Sequence, residues 1–243
     1  LGLTKDGLDE KLFSGPKNWL LELQNPDGGW PTFFRGYGYL PYDRSSVDIT
    51  CHVLESLLAA GVSSSSKTMR RGINFLISHQ RPDGLWDPLW YGNESLGIKN
   101  IVYGTAQVLK LPEVLKSYFW PNIEKAAIAL SELQNPDGGW GCGEESSSSP
   151  EETAQAVTGL LSTNAKKFKN QIEGGIIWLT QNQRGDGSWS STPFGLYVEA
   201  LSYYEKAYSI AYPLFALAKY RNLVFAQNLE MGEEDGNRKA LIA

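Results

Sequence analysis

The sequence predicts an all-α fold built from repeated helical hairpins, and three observations carry that prediction. The octet LQNPDGGW occurs twice, at 23–30 and at 133–140. Looser copies bring the total to four: Gln24, Gln80, Gln134 and Gln183 each stand six residues before a tryptophan, namely Trp30, Trp86, Trp140 and Trp189. The copies recur at intervals of about fifty residues, the period of a repeat array whose unit is one supersecondary hairpin. On both sides of each copy the apolar residues fall at helical spacing.

Each unit reads the same way in chain order. WLLELQ, NFLISHQ, IALSELQ and IIWLTQNQ supply a first helix. The turn sequences NPDGG, RPDG and RGDG then stop it, since proline and glycine punctuate helices. A loop follows each Trp, and a second helix comes after it: VDITCHVLESLL, NIVYGTAQVLKL, EETAQAVTGLL and LYVEALSYY. Glu151 and Glu152 after Pro150 suit a helix start, where proline fits the first turn and acidic groups face the positive end of the dipole. The serine runs Ser63–Ser66 and Ser146–Ser149 read as solvated loops. Hairpins of this period stack in a line or close into a ring, and the repeat alone does not choose between them.

Composition narrows the function classes. The chain has 243 residues, 42% hydrophobic, with a net charge of −5 and no basic run. Nucleic-acid binding needs a basic stripe, so no nucleic-acid partner is expected. Two cysteines and two histidines are too few for a convincing zinc cage. No cofactor and no metal are expected. No apolar stretch approaches the ~20 residues of a membrane-spanning helix. Aromatic residues make up 12% of the chain, with eight Trp and twelve Tyr.

The motif [KR]-[GA]-x-x-[FYW]-[LIV]-x-x-x-Q-x-x-x-G-x-W resembles the QW motif of squalene-hopene and oxidosqualene cyclases. Arg71, Gly72, Phe75, Leu76, Gln80, Gly84 and Trp86 fit it at every position. VDITCHVLESL, NIVYGTAQV and YPLFALAKY resemble three further segments of those enzymes, in the same order. The resemblance implies a single domain over residues 1–243, the C-terminal portion of a class II terpene cyclase, folded as an incomplete α/α toroid of the (α/α)6-barrel type. Within it the Gln would satisfy helix-terminal backbone groups and the Trp would stack on it.

The activity so implied is proton-initiated, metal-free cyclisation of a linear, squalene-like isoprenoid. Carbocation intermediates are held by aromatic faces, each worth ~1–2 kcal/mol when desolvated. Asp48 and His52, spaced i,i+4 on one helix face, match the pair that supports the family's donor acid. Phe33, Trp90, Tyr103, Phe194, Tyr197, Tyr204 and Tyr208 are the candidate substrate-binding aromatics. Glu205 stands where a Tyr is expected. The donor motif D-x-D-D is absent from the chain, so residues 1–243 alone are expected to be inactive. A different reading stays open, a cyclase-derived isoprenoid-binding or scaffold module without catalysis. The family habit implies a peripheral, monotopic protein on the cytoplasmic side of a membrane, and a homodimer is left open as its assembly. GCGEE at 141–145 resembles a thioester sequence, but Glu145 replaces the required Gln, so it is read as a polar loop.

Overall fold

The computed structural model describes residues 11–33, 36, 41–93, 98–197 and 201–241. Four helical hairpins follow one another: α1 (Lys11–Leu23) with α2 (Val47–Ala59), α3 (Lys67–Ser78) with α4 (Ile101–Leu109), α6 (Trp120–Glu132) with α7 (Pro150–Leu161), and α8 (Lys169–Gln181) with α9 (Lys206–Leu241). A short helix, α5 (Glu113–Lys116), bridges the second and third. The second helices form an inner row, α2 on α4, α4 on α7 and α7 on α9. Outer helix α6 packs on α4 and α7, and α8 packs on α7 and α9. This is a two-layer arc of an α/α toroid, as the resemblance implied.

Sequence explains which helix goes inside. All nine residues of α4 are buried, and α7 is buried from Pro150 to Leu160. Their sequences IVYGTAQVL and TAQAVTGLL carry no polar face, and a helix without one has to be covered all round. Outer helix α3 alternates, burying Met69, Gly72, Ile73, Phe75 and Leu76 and leaving Arg70 exposed. Helix starts follow ordinary capping: Ser66, Asn100 and Ser149 accept from the backbone N–H of Met69, Tyr103 and Glu152.

The repeated octet is an inter-repeat strap. In the first copy Gln24 Nε2 donates to Gly28 O within its own turn at 2.8 Å and to Thr68 O of α3 at 2.9 Å. Gln80 reaches Gly84 O and Asn122 O, and Gln134 reaches Gly138 O and Gln171 O. The Gln therefore ties its turn to the next outer helix instead of capping its own. The turn glycines Gly28, Gly84, Gly138 and Gly187 all have φ between 84° and 98°, a region open to glycine at little cost. Each indole N–H donates backwards, to Leu20, Leu76, Leu130 and Leu179 O at 2.7–2.8 Å. Its ring edge meets a small residue of the following repeat: Trp30 and Trp140 Cζ3 lie 2.9 Å from where a Cβ would stand at Gly72 and Gly175. That close fit is a contact Trp30 and Trp140 make across the seam between repeats.

A threonine of the next inner helix completes the first three straps, with Trp30, Trp86 and Trp140 backbone N–H donating to Thr50, Thr105 and Thr153 Oγ1 at 2.9–3.1 Å. Thr153→Val keeps the shape and strands a buried N–H, so it is expected to cost ~1–3 kcal/mol of unfolding free energy, read from the urea midpoint.

Two expectations are corrected here. The described residues of LYVEALSYY form no helix: β5 (Gly195–Tyr197) pairs antiparallel with β6 (Leu201–Tyr203), and α9 starts at Lys206. The pairing sets Tyr203 across Gly195, so that the phenol ring occupies the space a side chain there would need. Gly92 N–H also donates to Phe194 O, fastening this hairpin to the loop after Trp86. Tertiary pairing of an aromatic segment overrides its helical spacing. The second correction concerns the serines at 146–149. Ser146 and Ser149 are buried, at 5% and 4% exposure. Ser149 caps α7 and its N–H donates to Trp140 O, while Ser146 Oγ binds Gly143 O at 2.5 Å.

Candidate functional site

Helix starts of the inner row converge on one aromatic cluster. Tyr103 sits in the first turn of α4, Tyr208 and Tyr212 in the first turns of α9, and Phe194 just before β5. Tyr91 joins them through a bridge to Gly195. Ring centroids lie 3.9 Å apart for Tyr91–Tyr103, 5.3 Å for Tyr91–Phe194 and Tyr103–Phe194, 5.6 Å for Phe194–Tyr208 and 5.1 Å for the parallel pair Tyr208–Tyr212. Tyr103 and Phe194 are 3% and 1% exposed. Burial pushes the phenols of Tyr91, Tyr103 and Tyr212 above their ordinary range, so all three stay neutral through physiological pH. Neutral aromatic rings attract a cation placed over their faces.

Asp48 borders this cluster. It lies in the first turn of α2, 1% exposed, and accepts a short hydrogen bond from Ser46 Oγ. Burial raises its pKa, against the Ser46 bond and the nearby His52, which lower it. Its charge is felt by Tyr103 and Tyr212. His52 is placed differently from the sequence expectation. Its side chain is 54% exposed, and Nδ1 lies 4.0 Å from Glu55 Oε2 with no hydrogen bond to Asp48. Ser46 draws the Asp48 carboxyl back toward the start of the helix, away from the His one turn on.

The other candidate aromatics divide. Phe33 and Trp90 meet around Tyr42 in a second group, with Phe33–Tyr42 and Tyr42–Trp90 centroids 5.5 Å apart and Trp90 Nε1 bonded to Thr32 Oγ1. Phe33 is 54% exposed. Trp90 and Tyr91 being neighbours, the two groups adjoin. Tyr204 is 64% exposed and outside both. Tyr197 has its backbone in β5, while its side chain lies outside the described residues. Glu205 is exposed and accepts the N–H of Ala207.

Sequence reasoning missed Tyr91, Tyr212 and the burial of two glutamates. Glu151 and Glu152 are 0% and 2% exposed. Glu151 accepts from Thr192 N, Thr192 Oγ1 and Ser191 Oγ, which fixes the loop that presents Phe194. Glu152 accepts from Asn100 Nδ2 at 2.8 Å and, among the described residues, its Oε2 has no partner. Burial, with Glu151 adding to it, pushes the Glu152 pKa up to about 8. The available signal was that Glu-Glu opens a helix with no polar face, so both had to be covered. GCGEE is structural: Cys142 is buried, which pushes its thiol up to about 11, while Glu145 is exposed at a φ of 58°. Among the described residues no group of three His, Cys, Asp or Glu is arranged to hold a metal ion, and no helix is long and apolar enough to cross a membrane.

Comparison with known proteins agrees with this architecture. Residues 3–222 match the family model for the squalene-hopene cyclase C-terminal domain. Squalene–hopene cyclase of Zymomonas mobilis is 29% identical over 231 residues, covering 84% of this chain and 34% of its own length. Drimenyl diphosphate synthase of Streptomyces showdoensis is 30% identical over 202 residues, covering 83% of the chain and 36% of its own length. The chain thus spans about a third of the length of these relatives. In fold it is similar to ent-copalyl diphosphate synthase from Streptomyces platensis, with a TM-score of 0.61 at 20% identity, covering 82% of this chain and 37% of that one. With repeat, toroid and family model in agreement, the chain belongs to the squalene-hopene cyclase C-terminal domain family, among the class II terpene cyclases.

Proposed function

We propose that the chain forms the C-terminal part of an enzyme that cyclises a linear isoprenoid by proton-initiated, metal-free carbocation chemistry. The observation that carries this reading is the aromatic cluster of Tyr91, Tyr103, Phe194, Tyr208 and Tyr212, with Tyr103 and Phe194 buried, beside Asp48. Neutral aromatic faces stabilise a migrating cation without quenching it, and a dry cavity keeps water from capturing it early. Asp48 acts as a positioning residue for a donor carboxyl group, because its own Oδ1 is engaged by Ser46. A general acid has to lie within ~3 Å of the atom it protonates. Isoprenoid substrates partition into bilayers, so the same reading puts the protein on one leaflet as a peripheral, monotopic enzyme.

A second reading is a non-catalytic, cyclase-derived isoprenoid-binding or scaffold module. Incubation with detergent-solubilised squalene, followed by gas chromatography of the lipids, separates the two. Residues 1–243 alone are expected to give no cyclic product. A longer protein that supplies D-x-D-D upstream is expected to give one, and Asp48→Asn in it is expected to cut turnover on the order of 10²-fold. Robust product from residues 1–243 would show that the acid is assigned to the wrong place. An inactive longer protein that still binds squalene would support the module.

A further inference from the structure

We infer that Glu151 and Glu152 form a one-proton latch on the aromatic cluster, and that loss of the proton releases the loop carrying Phe194. The inference concerns how the cluster is held and stands apart from what the cluster binds. Two carboxyl groups open α7 side by side, 0% and 2% exposed. Each grips a different wall of the cluster.

Glu152 holds the wall built by α4. Asn100 Nδ2 donates to it at 2.8 Å, and Asn100 Oδ1 accepts the N–H of Tyr103 at 2.9 Å. The Asn100 N–H donates to Tyr91 O at 3.0 Å. One asparagine therefore connects Glu152 to both members of the Tyr91–Tyr103 ring pair, whose centroids are 3.9 Å apart. Glu151 holds the other wall. It accepts from Thr192 N at 3.2 Å, Thr192 Oγ1 at 2.9 Å and Ser191 Oγ at 3.5 Å. Two residues further on, Phe194 packs against Tyr91, Tyr103, Tyr208 and Tyr212.

The donors decide where the proton sits. Three of them satisfy Glu151 as a carboxylate, whereas Glu152 has one side-chain donor and, among the described residues, a buried Oε2 with no partner. A buried oxygen left unpaired costs less in a neutral acid than in an anion. Burial, with Glu151 adding to it, accordingly pushes the Glu152 pKa up to about 8. The other titratable groups here stay neutral near pH 8. Cys142, in the loop before α7, feels the charge of Glu152 and its thiol is pushed up to about 11. Tyr212 of α9 feels both Glu151 and Asp48 of α2, and its phenol is pushed up as well. Among the described residues no cation acts on Glu152.

Removing the proton sets two negative charges on neighbouring buried side chains. Relief lies on the Glu151 side, because Ser191 and Thr192 are only half-buried and belong to no helix or strand. Letting go of Thr192 opens a way for water to Glu151 and draws Phe194 out of the cluster. The closed latch holds the proton more tightly than the open one. Closure is therefore fully favoured below the ordinary value of 4.5 and weakens as pH rises through about 8.

Hydrogen exchange of the whole chain from pH 6 to pH 9, corrected for the intrinsic rate at each pH, tests the latch. The reporters are the N–H groups of Thr192 and Phe194, bonded to Glu151 and to Tyr203 O. Their protection is expected to fall ~10-fold or more between pH 6 and pH 8 and to level off above, while the buried amides of α3 stay better protected throughout. In Glu152→Gln the loop's protection is expected to be independent of pH. A wild-type loop with constant protection overturns the latch. So does a loop that shares the protection of α3 at every pH, since the opening is then global. An unchanged pH dependence in Glu152→Gln also overturns it, because the titrating group is then Asp48 or Glu151. If Glu152→Gln does not fold, Thr192→Val decides. It lacks the Oγ1 bond to Glu151 and is expected to lower the loop's protection at pH 6, and protection equal to wild type there overturns the latch.

Discussion

Trp140→Ala is expected to lower the unfolding free energy by ~3–5 kcal/mol, the usual cost of removing a fully buried large aromatic side chain. Trp140 is 0% exposed, its Nε1 donates to Leu130 O at 2.8 Å, and its ring edge fills the space beside Gly175. Truncation leaves a cavity at the seam of two repeats and strands the Leu130 carbonyl. Relaxation into the gap is restricted, because Gly175 lies on a helix fixed by its own packing. For a chain of this size that loss corresponds to a drop in Tm of roughly 6–20 °C. Trp19, 53% exposed on α1, is the matched control: its alanine variant is expected within about ±0.5 kcal/mol of wild type. Differential scanning calorimetry of the two variants decides. An unchanged Tm for Trp140→Ala would remove the strap from the account of stability.

Glu152→Gln is expected to flatten the fall of stability with rising pH. The folded pKa of Glu152 is about 8 against an ordinary value of 4.5, because the side chain is buried beside Glu151. The native state therefore holds the proton more tightly than the unfolded chain. Its contribution is fully present below pH 4.5 and is lost as pH rises through about 8. The loss amounts to ~4–5 kcal/mol at most, from 1.36 kcal/mol per unit of pKa difference. Glutamine mimics the neutral acid, keeps an oxygen for Asn100 Nδ2 and does not titrate. Asp48, also raised by burial, is common to the two proteins and cancels in the difference, whereas Glu151 is coupled to Glu152, so the difference reports the pair. Urea midpoints measured from pH 5 to pH 9 should begin close together and diverge, with the variant the more stable at high pH. Parallel curves would mean that Glu152 titrates normally.

Local order is what the sequence spells most clearly. The octet, the helix before it and the cap after it are encoded within a few residues, so Pro150–Leu161 could be read directly as a helix with its acidic first turn. The strand pair β5–β6 could not, since its stability comes from Tyr203 lying over Gly195 and from Gly92 reaching Phe194. Gly92 and Phe194 lie far apart in the chain, and no period marks either pair. The site shows the same division. Tyr103, Phe194 and Tyr208 were singled out by segment and meet in one cluster. Phe33 and Trp90 gathered around Tyr42 instead. Tyr91 and Tyr212 went unnoticed because a loop tyrosine and a helix tyrosine look ordinary until the backbone brings them together. Helical spacing put Asp48 and His52 on one face, yet it did not reveal that Ser46 would compete for the carboxyl.

The straps are laced from both sides. Gln24, Gln80 and Gln134 each reach forward to the next outer helix, while Arg71 reaches back to Asn25 O and Pro26 O, and Asn122 and Lys125 reach back to Gln80 Oε1 and Pro82 O. An array joined this way resembles a zip, in which each tooth is gripped by the one before it and the one after. Removing a repeat opens both flanking seams at once, so hydrogen exchange in a strap variant should show protection lost on both sides of the altered turn.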